Sequence, residues 1–195
     1  MAIDSDLELM LRVSRGDVES FALLLNRHRA PLLHYFVRMV RDRGLAEDLT
    51  QEVFLRVYQA RERYQPEARF TTWLYRIATN LALNAIRDRK GEATAPEPAA
   101  CEGDPTPPLE RVADQRPTTE QQMMESERQR FIREAIEALP EKQRAAVILH
   151  KYQEVDYRQI ASVLKVSESA VKSILFRAYE SLRLRLEPLV EGGWV

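Results

Sequence analysis

Apolar side chains recur at three-, four- and seven-residue intervals on both sides of a segment that holds almost none, and that interruption governs what this chain can fold into. On the N-terminal side Val18, Phe21, Leu25, Leu32, Phe36 and Val40 repeat at such intervals. Leu45, Leu49, Val53 and Val57 follow, then Phe70, Trp73, Ile77, Leu81 and Ala85. Residues so spaced share one face of a helix, and the strict two-residue alternation of a half-buried strand is absent. On the C-terminal side Phe131, Ala135 and Leu139 mark one helix, and Pro140 opens another that carries Ala145, Ile148, Leu149 and Tyr152. Asp17 is a plausible N-cap, Gly16 and Gly44 are expected to separate the first helices, and Pro31 to kink or break the second.

The interruption spans residues 91–118. It holds six of the ten prolines and six acidic side chains against two basic ones, so it cannot build a core of its own. The expected fold is all-α: two small helical-bundle domains, residues 1–90 and 119–195, joined by a flexible acidic Pro-rich linker. A chain of 195 residues is long enough for both. The one cysteine, Cys101, cannot form an intrachain disulfide, which favours a reducing compartment. No apolar run approaches the ~18 residues of a membrane span. The opening Met1 to Asp6 lacks the basic and apolar parts of a signal peptide. A cytoplasmic protein with no membrane insertion of its own is expected.

The net charge of −1 conceals local patterns. From Asp156 to Leu182 the spacing is that of a helix-turn-helix: a short helix to Leu164, a turn at Lys165 and Val166, and a longer helix capped by Ser167. Ile160, Ala161, Val166, Val171, Leu175 and Ala178 form the inward set, with small Ala161 where the helices approach. Ser169, Lys172, Ser173, Phe176, Arg177 and Glu180 are left on the outer face. Cations there reach phosphates or guanine edges, serines bond to several bases, and an aromatic ring meets a thymine methyl. Residues 155–186 hold six basic and three acidic side chains. An ordinary helical hairpin with a solvated face is the plainer alternative. Lys165 occupies a turn position that favours glycine, at a cost on the order of 1 kcal/mol.

A second pattern runs from Arg69 to Lys90, where aromatic, basic and amide side chains interleave on one expected helix. Residues 68–90 hold five basic side chains and one acidic. Stacking faces beside cations are what capture of an unpaired strand requires. Phe70, Trp73 and Ile77 fall on the expected buried stripe, leaving Arg69, Tyr75, Arg76, Thr79, Asn80, Asn84 and Arg87 as the candidates for exposed contact. Upstream, Asp48, Gln51 and Glu52 share a helix face opposite Leu49, Val53 and Val57. That ridge is either solvated or docked on a basic partner surface.

Three motifs, in order and on either side of the linker, closely resemble the extracytoplasmic-function class of bacterial RNA polymerase sigma factors, whose minimal members keep only regions 2 and 4. They are Glu47-Asp48-Leu49-Thr50-Gln51-Glu52-Val53-Phe54, Phe70-Thr71-Thr72-Trp73-Leu74-Tyr75-Arg76-Ile77-Ala78, and Leu139-Pro140 followed by Val171-Lys172-Ser173 and Phe176-Arg177-Ala178. The resemblance covers roughly residues 7–90 and 120–186. It implies that Asp48, Gln51 and Glu52 grip the clamp helices of core RNA polymerase. The loop from about Tyr64 to Arg69 and the helix after it would open the minus-10 element of promoter DNA and hold an extruded base. Unpairing costs a few kcal/mol, which stacking and hydrogen bonding must offset. Ser169, Lys172, Ser173, Phe176 and Arg177 would read the minus-35 element. The linker would thread toward the RNA exit path, and an anti-sigma factor is implied as an inhibitory partner. The family pattern commonly has a basic residue at Ile174 and Thr at Ala170, so the minus-35 sequence read here is expected to differ.

Enzymatic readings fare poorly. His28 and His34 do not share a helix face, His150 is isolated, and no cysteine pair or His-Glu-x-x-His offers metal-ligand spacing. These histidines are expected at the surface, with no cofactor and no metal, and the six glycines make no phosphate-cradling loop. Two other readings stand beside the sigma factor: a free-standing helix-turn-helix regulator of duplex DNA, and a helical adaptor that binds only proteins.

Overall fold

The computed structural model describes residues 5–66, 68–92 and 119–191, and every regular element among them is helical. The N-terminal set comprises α1 (Asp6–Val13), α2 (Val18–Val40), α3 (Arg43–Gln59), a short 3-10 turn at Arg61–Arg63, and α4 (Phe70–Glu92). The C-terminal set comprises α5 (Thr119–Glu137), α6 (Glu141–Tyr152), α7 (Tyr157–Leu164) and α8 (Glu168–Glu191). Most of the linker and the last four residues of the tail lie outside the described residues.

Local chemistry sets the helix starts. Ser5 and Glu8 close a capping box on α1, and Asp156 and Gln159 do the same on α7, each satisfying two otherwise orphaned backbone donors. Asp17 caps α2 as expected, accepting from the Glu19 and Ser20 amides at 3.0 and 3.2 Å. Gly16 turns the chain before it at φ +94°. Gly44, by contrast, does not separate helices. The break falls two residues earlier, where Arg41 takes a left-handed φ of 62° and Asp42 caps α3 by accepting from the Leu45 amide at 2.9 Å. Pro31 does not end α2 either. Leu24 and Leu32, Tyr35, Phe36 and Met39 are fully buried on either side of it, and their packing offsets the roughly 3 kcal/mol a mid-helix proline costs.

The N-terminal core gathers Leu9, Met10, Leu24, Tyr35, Phe36, Val53, Leu74 and Ala82, all buried. The C-terminal core is built on Ile136, Leu139, Ile148, Leu149, Ile160, Val171 and Leu175. Phe131 does not join it: the ring is exposed beneath Arg130, and Ile132, Ala135 and Ile136 face inward instead. The two sets pack on one another, chiefly α4 on α7 and α2 on α6.

His28 is buried rather than at the surface. Its Nε2 lies 2.9 Å from Asp6, which also pairs with Arg27, and its ring packs against Phe70 with centroids 5.4 Å apart. The imidazole thus ties α1 to the start of α4. Burial pushes its pKa below the ordinary 6.5 and outweighs the opposing pull of Asp6. On acidification the unfolded chain takes up this proton first. The stabilisation is complete above about pH 6.5 and is lost as pH falls through the depressed folded value. Between about pH 7.5 and pH 5 the melting temperature of the wild type is expected to fall more steeply than that of His28→Gln. Parallel slopes would show that His28 does not titrate with folding.

Candidate polymerase and promoter interfaces

Helix α3 exposes Asp48 and Gln51, with Glu52 half-exposed beside them and ion-paired to Arg56 at 2.7 Å. Leu49, Val53, Phe54 and Val57 on the other side anchor the helix in the core, so the ridge is held rigidly. Leu55 lies one turn beyond Gln51 on the same ridge and is 51% exposed. Sequence reasoning missed it, although a leucine off the Leu49–Val53–Val57 stripe was the available signal.

On α4, Arg76, Asn80, Asn84 and Arg87 follow one another at three- and four-residue steps, and Arg69 precedes the helix in line with them. Arg69, Asn80, Asn84 and Arg87 are exposed and Arg76 is half-buried. Arg87 donates to the Asn84 amide oxygen at 3.2 Å, which orders the far end of the stripe. Tyr75 and Thr79 do not share this exposure: they are 5% and 1% exposed. The Thr79 hydroxyl lies 2.8 Å from that of the fully buried Tyr35, whose ring also meets the edge of Tyr75 at 5.5 Å. Phe70 and Leu81 of the expected stripe are buried, but Trp73 and Ile77 are only partly so, and Leu74, Tyr75, Ala78, Thr79 and Ala82 widen the buried face to the other side. The cause is packing on two sides: α2 and α3 on one, α7 on the other.

The loop before α4 is held by rings. Tyr64 packs on Trp73 in a tilted contact with centroids 5.0 Å apart, and Phe70 lies 6.0 Å from the same indole. A cavity of about 50 Å³ opens beside it, lined by Gln65, Ala68, Thr72, Trp73 and Arg76 and closed by Ser162 of α7. The Thr72 hydroxyl is buried there without a partner. Residue 67, inside this loop, lies outside the described residues.

The helix-turn-helix matches its sequence reading closely. Lys165 takes the left-handed conformation, φ 54° and ψ 50°, between α7 and α8, and Ser167 caps α8 by accepting from the Ala170 amide at 3.2 Å. Ile160, Ala161, Val171, Leu175 and Ala178 are buried, and Val166 and Ile174 pack partly against them. Ile174 is therefore turned toward the core. Ser169, Lys172, Ser173, Phe176, Arg177 and Glu180 are all exposed, Phe176 by 68%. The Ser173 hydroxyl donates back to the Ser169 carbonyl at 3.1 Å, a bond it can exchange for a base by rotating. A large exposed aromatic between two cations is costly to leave in water and well placed for a groove.

Comparison with known proteins gives the family. Residues 24–92 match the Sigma-70 region 2 family and residues 130–182 the Sigma-70 region 4 family. The chain is 33% identical over 192 residues to the RNA polymerase sigma-H factor of Pseudomonas aeruginosa, covering 96% of both chains. It is 31% identical over 186 residues to the ECF RNA polymerase sigma-E factor of Haemophilus influenzae, covering 95% of this chain and 97% of that one. Among solved structures, CnrH in complex with the cytosolic domain of CnrY superposes with a TM-score of 0.67 at 18% identity, covering 95% of this chain and 99% of that one. The sigma factor RpoE of Bartonella quintana, in complex with the anti-sigma factor NepR, gives 0.66 at 20% identity, covering 87% and 98%. At those identities the two structures establish a shared fold. The chain belongs to the extracytoplasmic-function class of bacterial RNA polymerase sigma factors, subunits that bind core RNA polymerase and direct promoter-specific transcription initiation.

Because Lys165 is strained and exposed, Lys165→Gly is expected to raise the unfolding free energy by roughly 0.5–1 kcal/mol without moving the recognition helix. Urea denaturation measures this, and a destabilised variant would contradict the strain assigned to the turn.

Proposed function

We propose that this sigma factor grips core polymerase through Asp48, Gln51 and Glu52, with Leu55 as the apolar centre of the contact. Its second role is to hold an opened minus-10 strand along Arg69, Arg76, Asn80, Asn84 and Arg87. Thr79 and Tyr75 serve that surface indirectly, by setting the rotation of α4 through their contacts with Tyr35. Ser169, Lys172, Ser173, Phe176 and Arg177 read the minus-35 element in the major groove. Ile174, packed toward the core, makes no base contact, so this chain reads fewer positions there than relatives with a cation. The observation that carries the assignment is the segregation of an exposed acidic ridge on α3 from exposed cations on α4 and α8.

The chain acts as a cytoplasmic initiation factor and performs no catalysis of its own. No described helix is long and apolar enough to cross a membrane. An anti-sigma factor is its proposed inhibitor, since both structural neighbours named above were solved with a partner chain and one such partner is called an anti-sigma factor. Phosphate contacts supply much of the DNA affinity, so promoter binding weakens steeply with salt.

Asp48→Arg combined with Gln51→Ala is expected to abolish co-purification with core polymerase while leaving helical content and melting temperature unchanged. Wild-type recovery of the complex would show that the ridge is merely solvated. Lys172→Ala combined with Arg177→Ala is expected to lower transcription tenfold or more from promoters with a minus-35 element, at roughly 1–3 kcal/mol per lost base contact. An equal loss on promoters lacking that element would remove base reading from α8.

A further inference from the structure

Helix α2 holds α4 at two places. One is deep, where Tyr35 meets Thr79. The other lies about two turns earlier on the same face of α2, where the buried His28 packs its ring against Phe70, the first residue of α4. His28 is itself held. Its Nε2 lies 2.9 Å from Asp6 Oδ2, and Asp6, in the first turn of α1, is also paired with Arg27. From Phe70 the contacts run outward: its ring lies 6.0 Å from the Trp73 indole and 6.5 Å from the Tyr64 ring, and those two pack on each other at 5.0 Å. The circuit closes on Asp6, whose charge adds to burial in pushing the Tyr64 phenol above its ordinary 10. Among the described residues the buried Tyr64 hydroxyl has no hydrogen-bond partner. Its ring therefore keeps its place through Phe70 and Trp73.

We infer that Asp6 and His28 are positioning residues for opening of the minus-10 element, acting through the Phe70 ring on Trp73, Arg69 and Arg76. The inference rests on the strand-holding role proposed above for α4. Arg69 immediately precedes Phe70, and Arg76 lines the same cavity as Trp73. A shift of the Phe70 ring therefore displaces the start of the basic stripe from the remainder, which Tyr35 and Thr79 hold in place. An apolar side chain at position 28 would fill the space against Phe70 but leave that ring free to slide. The bond from imidazole to carboxylate is directional, so it fixes the plane of the imidazole and gives Phe70 a single seat. Such seating counts most while bases are unpairing, because capture offsets the cost of unpairing only when stacking faces and cations are already in position. On DNA that is already open, a loosely seated helix start can settle around the strand. Two polar residues on α1 and α2 thus bear on an event at the surface of α4.

The test uses the full chain with Trp194→Phe, which leaves Trp73 as the only indole, and compares it with the same chain carrying Asp6→Ala, His28→Leu or Asp6→Asn. The last keeps an oxygen to which the imidazole can donate. Circular dichroism establishes that each is folded, and acrylamide quenching reads the seat of Trp73. Run-off transcription with core polymerase then uses one promoter in two forms, fully duplex and mismatched across the minus-10 element. Asp6→Ala and His28→Leu are expected to be quenched more readily and to transcribe the duplex form on the order of tenfold less, with the mismatched form within about twofold of the parent. Asp6→Asn is expected to restore both readouts. Unchanged quenching overturns the inference, because Trp73 then does not depend on the pair. Undiminished transcription of the duplex form overturns it too, as does an equal loss on both templates, which a weakened fold or polymerase contact would produce. Arg69→Ala/Arg76→Ala is a separate control: parental transcription of the duplex form by that variant would remove the strand from α4, whatever Asp6 and His28 do.

Discussion

The placement of α4 depends on one buried hydroxyl. Tyr35 is wholly enclosed, and burial raises its pKa far enough that the phenol keeps its proton at any working pH. Its oxygen pairs with Thr79, and its ring meets Phe36 and Tyr75 edge-on. A polar group so deep must be satisfied, or it costs about 1–3 kcal/mol. Thr79 satisfies it in the rotation that leaves Asn80 and Arg87 exposed and sets Tyr75 against the C-terminal helices.

Charge is sorted by element rather than by domain. Equal numbers of opposite charges would cancel if mixed. Here Asp48 and its neighbours form an acidic ridge on α3, Arg76 and Arg87 mark α4, and Lys172 and Arg177 stand beside Glu180 on the outer face of α8. Under the proposed roles, ionic strength acts mainly on the DNA-binding faces. Local pairs such as Arg56–Glu52 and Arg43–Glu47 blunt the charges at the margins of the ridge, leaving Asp48 and Gln51 at its crest.

Much of this was legible before any coordinates. Caps at Asp17 and Ser167, the turn at Lys165 and the inward set of the helix-turn-helix all follow from short-range chemistry, and short-range chemistry is what a sequence displays. The exposed set Ser169, Lys172, Ser173, Phe176 and Arg177 on α8 followed because that helix start is buried on one side only. Tyr75 and Thr79 were misplaced because α4 is buried on two sides, so its apolar stripe is too broad to give a single direction. That Pro31 does not break α2 has a related reason: its local penalty is visible in sequence, whereas the long-range packing that overrides it is not. Burial of His28 was not legible because its partner Asp6 lies a full helix away. The contacts of Arg144 with Met39 and of Tyr75 with Gln153 span 105 and 78 positions, and nothing in a linear pattern announces them.

Run-off transcription with purified core enzyme and a fragmented genomic template tests the central claim most directly. Addition of this protein is expected to produce transcripts from defined start sites that core enzyme alone does not make, with shared elements upstream of each. Shifted duplex DNA without new transcripts, or no effect on either, would contradict its assignment as a promoter-recognition subunit.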